Sequence, residues 1–340
     1  MLYNFLHMFT TDSSIFAHAT IMLMANTQWC DLVLEGGGVK GLGLVGAYTE
    51  LTSAGFTARR VAGTSAGAIV GALIAAGMSA DAMQTTMKTV DYTRFRDEDW
   101  LDYLGLGGKI ASLAFTKGVY RGDYLHDWLS AELEKLGVRT FADLKITDAW
   151  AKHLSPGQRY KLVVVASDIS SGRLARLPWD YERYGLDPDK QPVADAVRAS
   201  MSIPFFYQPA VVNGRLLVDG GMLSNFPIDL FDATPDWPTF GIKLSAKPEA
   251  NLIANPTGNT YDFARALLAT LINAHDQMHI DDPCTAARTI FVDTLGIKAT
   301  DFDITAAEQA KLSQNGASAA KKFLNTWDFA GWKQLCLKYQ

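Results

Sequence analysis

The sequence is poor in cysteine, and this limits the classes of protein that it can encode. Only three cysteines occur among 340 residues, and they lie far apart at Cys30, Cys284 and Cys336. Small extracellular domains stapled by disulfides usually carry an even and larger number, and structural zinc sites space cysteines a few residues apart. We therefore expect no disulfide framework and no cysteine-based metal site, and a reducing compartment is the simplest expectation.

A strong excess of charge of either sign is also missing. The chain carries 31 Lys and Arg against 36 Asp and Glu, which gives a formal net charge of -5. A mildly acidic chain has no overall field that attracts nucleic acid, so no nucleic-acid partner is expected. No apolar run is long enough to span a bilayer, and the hydrophobic fraction of 48% is ordinary for a globular protein with a large core.

The N-terminal region lacks positive charge, because no lysine or arginine precedes Lys40. A secretory signal peptide begins with a positive segment, which is missing here. The apolar stretch Met1–Phe9 and the small-x-small form of Ala17–Ala19 are therefore not interpreted as a signal peptide. We predict that residues 1–30 are a loosely ordered extension, with Met24 as an alternative start.

What the chain does contain is a Gly-x-Ser-x-Gly pattern formed by Gly63, Ser65 and Gly67. A short apolar run precedes it, and a run of Ala, Gly, Ile, Val and Leu follows, which indicates a strand, a sharp turn and a buried helix. The glycines allow the strand and the helix to approach closely. The start of the helix favours negative charge near the serine oxygen. Ser65 is therefore a candidate nucleophile, and a plain tight turn is the alternative.

Two further glycine-rich stretches follow apolar runs. The first lies at the end of residues 32–41, where successive backbone amides can point at one anion. Its residues of interest are Gly36, Gly37, Gly38, Lys40 and Gly41. The second follows Leu216–Val218 and reads Asp219, Gly220, Gly221. Asn213-Gly214 between apolar strands predicts a hairpin that fixes Asp219 at the end of a strand. Strands that alternate with helices along the chain predict an α/β sheet with helices on both faces.

In this order, the three motifs resemble the patatin-like phospholipase family. Blocks at 163–172, 196–204 and 221–227 are also similar to that family, so the resemblance covers roughly residues 31–232. It implies a three-layer α/β/α patatin-like fold with a central, mostly parallel sheet. The implied catalytic domain is 31–232, and 233–340 completes the same fold.

The resemblance also implies lipid acyl hydrolysis of the phospholipase A or lysophospholipase type, with a membrane phospholipid or lysophospholipid as substrate. Ser65 would attack the ester, and Asp219 would act as the base of a Ser–Asp dyad, with no cofactor and no metal. The glycine loop would form the oxyanion hole, Lys40 would occupy a position that is commonly basic in the family, and the remaining glycines would shape the turns: Gly63, Gly67, Gly220 and Gly221. A cytoplasmic location is expected, and peripheral membrane contact or delivery as an effector stays open, as does the oligomeric state.

Alternatives to a Ser–Asp dyad remain at this point. The loop fits Gly36-x-Gly38-x-x-Gly41, a dinucleotide fingerprint, but the second strand lacks the acidic residue which that fingerprint requires. His275 or His279 could complete a Ser–Asp–His esterase or thioesterase, or the two could hold zinc. A patatin-like module that binds lipid without catalysis is the last alternative, and intact Ser65 and Asp219 argue against it.

Two apolar segments suggest contact with a membrane. Residues 101–110 mix bulky apolar side chains with glycines, as a mobile flap or a packed connection would. In a helical tail, one face would carry Phe329, Trp332, Leu335, Cys336 and Tyr339. Packing of this face on the core is the alternative.

Overall fold

The order of strands and helices places the three glycine motifs on one sheet. A computed structural model describes residues 28–97, 118–233, 236–244, 282–299 and 301–337, with isolated positions 258, 263, 266, 267 and 270. The strands are Gln28–Leu34 (β1), Phe56–Thr64 (β2), Gly118–Tyr120 (β3), Leu162–Asp168 (β4), Arg173–Leu177 (β5), Phe205–Tyr207 (β6), Ala210–Val212 (β7), Arg215–Asp219 (β8), Thr239–Lys243 (β9) and Thr289–Phe291 (β10). The α-helices are Leu42–Ser53 (α1), Ala66–Ala75 (α2), Ala80–Thr89 (α3), Asp123–Lys135 (α4), Val193–Ser200 (α5), Pro283–Ala287 (α6), Ala306–Leu324 (α7) and Phe329–Cys336 (α8).

The main sheet is mixed and mostly parallel. Its hydrogen-bonded order is β10-β9-β1-β2-β4-β8-β7, and β5 also pairs with β4. The strands from β10 to β4 are parallel to their neighbours, whereas β5, β7 and β8 pair in the antiparallel sense. A separate parallel pair is formed by β3 and β6. The predicted α/β fold with a central, mostly parallel sheet is confirmed. Strands β9 and β10 extend this sheet from the chain beyond residue 232.

The central strands are apolar on both faces because core lies on both sides of the sheet. Alternate residues of β1, β2 and β4 enter one large cluster with α1 and α2, and the residues between them enter a second cluster. The second cluster consists of Val33, Ala62, Val163, Phe226, Ile228 and Phe231. A strand buried on both faces reads as a continuous apolar run, which is the pattern of β1 and β4 in the sequence. Every residue of α2 is buried, as predicted for a helix that is apolar all round.

The predicted hairpin forms β7 and β8, with Asn213 and Gly214 both at positive φ in the connecting turn. The two turn residues have φ values of 43° and 78°, the backbone that Asn-Gly favours in a two-residue hairpin. This turn sets the register in which Ala210 faces Leu217. The position of Asp219 on the sheet therefore follows from a local signal six residues upstream.

The cysteine expectation is wrong for two of the three cysteines. Cys284, in α6, and Cys336, in α8, form a disulfide across a sequence separation of 52, with their Cα atoms 5.1 Å apart. Cys30 is free and buried in β1. Two cysteines so distant along the chain carry no local sign of pairing, because the contact arises only when α8 folds back onto α6. The inference of a reducing compartment thereby loses its basis.

Several predicted features fall outside the described residues or stay untested. The flap at 101–110, His275, His279 and Tyr339 lie outside the part of the chain that is described. Phe329, Trp332, Leu335 and Cys336 are half-buried, and the Trp332 indole donates to the Cys284 carbonyl at 3.0 Å. This agrees with the packing alternative, and membrane contact stays a prediction. Within the described residues, no helix combines the length and apolar character needed to cross a bilayer.

Candidate active site

Ser65 sits at the sharp turn between β2 and α2. Its backbone has φ 53° and ψ -123°, a conformation that a residue with a side chain rarely adopts. A Cβ on Gly63 would lie 2.2 Å from the Gly67 carbonyl oxygen, and one on Gly67 would lie 2.2 Å from that of Leu34. Only glycine fits at both positions, so the turn can be this tight only with these two glycines. This is the strand–turn–helix geometry that the sequence pattern predicted.

The strained turn is held by Ser200, a residue to which sequence reasoning assigned no role. The Ser65 amide donates to Ser200 Oγ at 2.8 Å, and Ser200 Oγ donates to the Val165 carbonyl at 2.6 Å. The Ser65 carbonyl accepts from the Ala68 amide at 2.8 Å and so begins α2. The only sequence signal for Ser200 was its place in the block at 196–204.

Asp219 reaches Ser65 because two strands converge beside β4. The pairing of β2 with β4 ends at Thr64 opposite Val165, and the pairing of β8 with β4 reaches Asp219 opposite Ala166. Since β2 is parallel and β8 is antiparallel to β4, their carboxyl ends approach each other. After Asp219 the backbone passes very close to β4, because a Cβ on Gly220 would lie 2.3 Å from the Val165 carbonyl oxygen. Ser65, which follows Thr64, and Asp219 thus meet beside adjacent positions of β4.

The Asp219 carboxylate is buried without a cation beside it among the described residues. It accepts a hydrogen bond from the Gly221 amide at 2.8 Å. Burial raises the pKa of Asp219 to about 6, and hydrogen bonds from the Gly221 amide and the Ser65 side chain lower it in part. A carboxylate with this pKa is mostly ionised at neutral pH and is a stronger base than an ordinary aspartate.

The Ser65 hydroxyl has two possible acceptors. Its oxygen lies 3.3 Å from Met201 Sδ, and it also interacts with the Asp219 carboxylate. A thioether sulfur is a weak acceptor, whereas an ionised carboxylate forms the stronger, charge-assisted bond. The Ser65 hydroxyl is therefore placed to donate to the Asp219 carboxylate, with the Met201 sulfur beside it.

The glycine loop presents backbone amides next to Ser65. A Cβ on Gly36 would lie 3.1 Å from Ser65 Cβ, so the loop passes directly over Ser65. The Gly36 amide is occupied, because it donates to the Asn225 carbonyl at 3.2 Å. Within the described residues, the amides of Gly37 and Gly38 have no acceptor. Two adjacent donors without a partner form a site for an anion.

The remaining members of the loop secure its position. Gly41 packs against α2, where a Cβ would lie 3.3 Å from Ala66 Cβ. Lys40 donates through Nζ to the Leu244 carbonyl at 3.4 Å. Glu35, which precedes the loop, is buried and bonded to Lys243 Nζ and to the Leu244 amide. Glu35 and Lys243 are 208 residues apart, and neither was a candidate from the sequence.

An apolar pocket lies next to Ser65. Its lining includes Gly38, Ala66 and Met201, which are near Ser65, and a set of aromatic side chains. Those aromatic residues are Tyr92, Phe95, Trp128 and Phe302. An aliphatic chain suits such a lining, and a charged head group does not.

Comparison with known proteins adds sequence and fold similarity. A family model described as patatin-like phospholipase matches residues 32–232. The uncharacterized protein YqhO of Bacillus subtilis is 36% identical over 311 residues, which are 89% of this chain and all of that protein. An uncharacterized NTE family protein of Mycobacterium tuberculosis is 32% identical over 213 residues, 60% of this chain but only 28% of that protein. The crystal structure of VipD from Legionella pneumophila superposes with a TM-score of 0.51 and 17% identity, over 88% of this chain and 67% of that one.

Proposed function

The chain belongs to the patatin-like phospholipase family, and we propose that it hydrolyses the carboxylic ester bonds of phospholipids or lysophospholipids through Ser65 and Asp219. Family membership implies lipid acyl hydrolase activity in general. The observation that supports the finer statement is the meeting of a strained serine, a buried aspartate and two free amides at one end of the sheet. The adjoining apolar pocket suits the acyl part of a lipid.

The proposed reaction begins when Asp219 removes the hydroxyl proton and Ser65 Oγ attacks the ester carbonyl carbon. Negative charge develops on the carbonyl oxygen, where the Gly37 and Gly38 amides would donate to it. Asp219 then gives the proton to the departing alcohol, leaving the acyl group on Ser65. In the second half, Asp219 takes a proton from water as the water oxygen attacks the acyl carbon. Asp219 then returns that proton to Ser65 Oγ as the bond to the acyl group breaks, which releases the fatty acid and restores the enzyme.

The burial of Asp219 gives this scheme its chemical basis. A serine hydroxyl needs a base in contact with it before it becomes an effective nucleophile. An exposed aspartate is a poor base at neutral pH, but burial raises the pKa of Asp219 to about 6. The carboxylate stays largely deprotonated at pH 7, and it also binds a proton more tightly than usual.

Labelling and product analysis test the nucleophile. A fluorophosphonate probe should label Ser65, and wild-type protein incubated with phospholipid vesicles should release fatty acid detectable by mass spectrometry. Ser65→Ala should lose labelling and release together. Ser53→Ala, which alters an exposed serine on α1, is the matched control and should keep both. Release that persists in a clean Ser65→Ala preparation contradicts the assignment.

A Ser–Asp–His mechanism is the competing proposal, since His275 and His279 lie outside the described residues. With the dyad, His275→Ala and His279→Ala keep kcat/KM within about tenfold of wild type. Loss of activity as complete as in Ser65→Ala, in a variant still folded by circular dichroism, would replace the dyad with the triad. A wild-type protein that binds vesicles but releases no product would instead indicate a non-catalytic lipid-binding module.

A further inference from the structure

The pocket beside Ser65 is almost filled by its own side chains. Its free volume is about 20 Å³, which is room for about one water molecule. An acyl chain of even a few carbons does not fit into that space. If the proposed reaction is to take place on a lipid ester, a side chain that closes the pocket must be displaced.

Two of the aromatic side chains at the closed end are fixed by regular structure. Trp128 belongs to α4, whose Leu125, Leu129 and Leu133 are buried in the core. Phe95 ends the 3-10 turn Tyr92–Phe95, and its carbonyl accepts the Tyr207 hydroxyl at 2.8 Å. Moving either residue would disturb buried hydrogen bonds or a packed helix. Neither is suited to yield to a ligand.

Phe302 differs from them in its backbone. It lies in the connection between β10 and α7, in a turn that belongs to no helix or strand. The ring stacks on Phe206 at a centroid distance of 5.5 Å and meets Phe95 edge-on at 6.2 Å. These contacts hold the ring over the pocket, but a rotation of one side chain breaks them without unfolding an element.

The connection that carries Phe302 also contacts the glycine loop. The Val39 amide donates to the Ala299 carbonyl at 3.2 Å, and a Cβ on Gly38 would lie 1.8 Å from that same oxygen. Asp303 of the connection is paired with Arg96. The segment therefore borders both the candidate oxyanion site and the end of the pocket. It lies beyond residues 32–232, the region that matches the family model.

We propose that Phe302 closes the acyl pocket and determines the length of acyl chain that the enzyme accepts. The proposal rests on the function proposed above. With the Phe302 ring in place, the pocket admits only the carbons nearest the ester, and longer chains bind only when the ring swings aside. Specificity for the acyl chain then comes from the connection between β10 and α7. The reacting residues Ser65 and Asp219 lie within residues 32–232, which match the family model.

The test measures kcat/KM for p-nitrophenyl butanoate, octanoate and dodecanoate. Each additional methylene that becomes buried raises kcat/KM roughly fourfold, from the transfer free energy of a methylene. Phe302→Ala frees space for several methylenes, so the dodecanoate-to-butanoate ratio should rise at least about tenfold over wild type. Phe302→Trp should lower the same ratio. The ratio is taken within one preparation, so a smaller folded fraction cancels from it.

Phe323→Ala is the matched control, because Phe323 packs on Phe240 and Trp327 and does not line the pocket. It should leave the ratio within about twofold of wild type. An unchanged ratio in both Phe302 variants, or an equal rise in Phe323→Ala, overturns the proposal.

A second arm separates this inference from the proposed function. If wild-type protein hydrolyses none of the esters and releases no fatty acid from phospholipid vesicles, the proposed function fails, and binding is measured instead. Decanoate is titrated calorimetrically into Ser65→Ala and into Ser65→Ala combined with Phe302→Ala. Tighter binding by the double variant, by about tenfold, supports Phe302 as the closing residue even without turnover. Equal affinity overturns it.

Discussion

Two buried carboxylates lie at the same end of the sheet, and their surroundings are opposite. Glu35 follows β1 and is 4% exposed, while Asp219 ends β8 and is 7% exposed. Glu35 is bonded to the Lys243 ammonium and the Leu244 amide, whereas Asp219 accepts from the Gly221 amide and the Ser65 side chain. Burial is nearly equal, so the difference lies in the charge of the partners.

That difference separates a structural role from a chemical one. A buried carboxylate beside a cation stays ionised, and its geometry is fixed by the pair. A buried carboxylate without a cation binds protons more tightly, which is what a general base requires. The Glu35–Lys243 pair fixes the start of the glycine loop, and we propose that Asp219 moves protons beside it.

The largest expected effect is the loss of turnover when Asp219 loses its basicity. Asp219→Asn keeps the shape of the side chain and should lower kcat about 10³-fold, with little change in KM. Asp168→Asn is the control, because Asp168 is equally buried but its carboxylate accepts from Ser170 and Ser171 in the turn after β4. Comparable losses in the two variants would remove the special role of Asp219.

The next effect concerns stability, and here Glu35 should be the sensitive residue. Glu35→Gln removes the carboxylate that is bonded to the buried Lys243 ammonium, and Lys243→Met removes that ammonium from the buried Glu35. Each should lower the free energy of unfolding in urea by about 3–5 kcal/mol. Changing both residues together should cost clearly less than the sum of the two single losses. Strictly additive losses would mean that the two side chains do not stabilise each other.

Asp219 should also contribute to the dependence of stability on pH. Its pKa is about 6 in the folded protein against an ordinary 3.8, so the stabilisation from its protonated form is complete below about pH 4. It is lost as the pH rises through 6, and the full loss is about 3 kcal/mol. Urea unfolding of wild type and Asp219→Asn at pH 4 and pH 7.5 measures this. Between pH 4 and pH 7.5, the free energy of unfolding of wild type should fall relative to that of Asp219→Asn by about this amount.

How much of this could be predicted from sequence depends on the distance between partners. The elbow at Ser65 and the hairpin that places Asp219 are local patterns, read from glycines and from Asn-Gly within a few residues. The antiparallel pairing of β8 with β4 is a tertiary contact, and only the hairpin of β7 and β8 could be predicted from the sequence. The Cys284–Cys336 disulfide and the Glu35–Lys243 pair join distant residues, and neither has a local signature.

The glycine loop shows the same limit on a smaller scale. Three glycines in a row indicate a loop that can bind an anion, but the sequence does not show which of their amides are free to do so. The fold distinguishes them, because Asn225 occupies the Gly36 amide and leaves the next two free. Asn225 is remote in sequence from the loop, so its effect appears only in the folded chain.

The smallest expected effect is the pH dependence of the reaction itself. Because Asp219 must be deprotonated to act as base, kcat/KM should fall about tenfold for each pH unit below 6, or roughly 1.4 kcal/mol of barrier per unit. Lys243→Met should leave the midpoint of this fall in place, since the Lys243 ammonium is bonded to Glu35. His275→Ala and His279→Ala should also retain the fall, because an aspartate causes it. If the fall vanished in either histidine variant, the titrating base would be that histidine, and the contrast between the paired and unpaired carboxylates would describe stability alone.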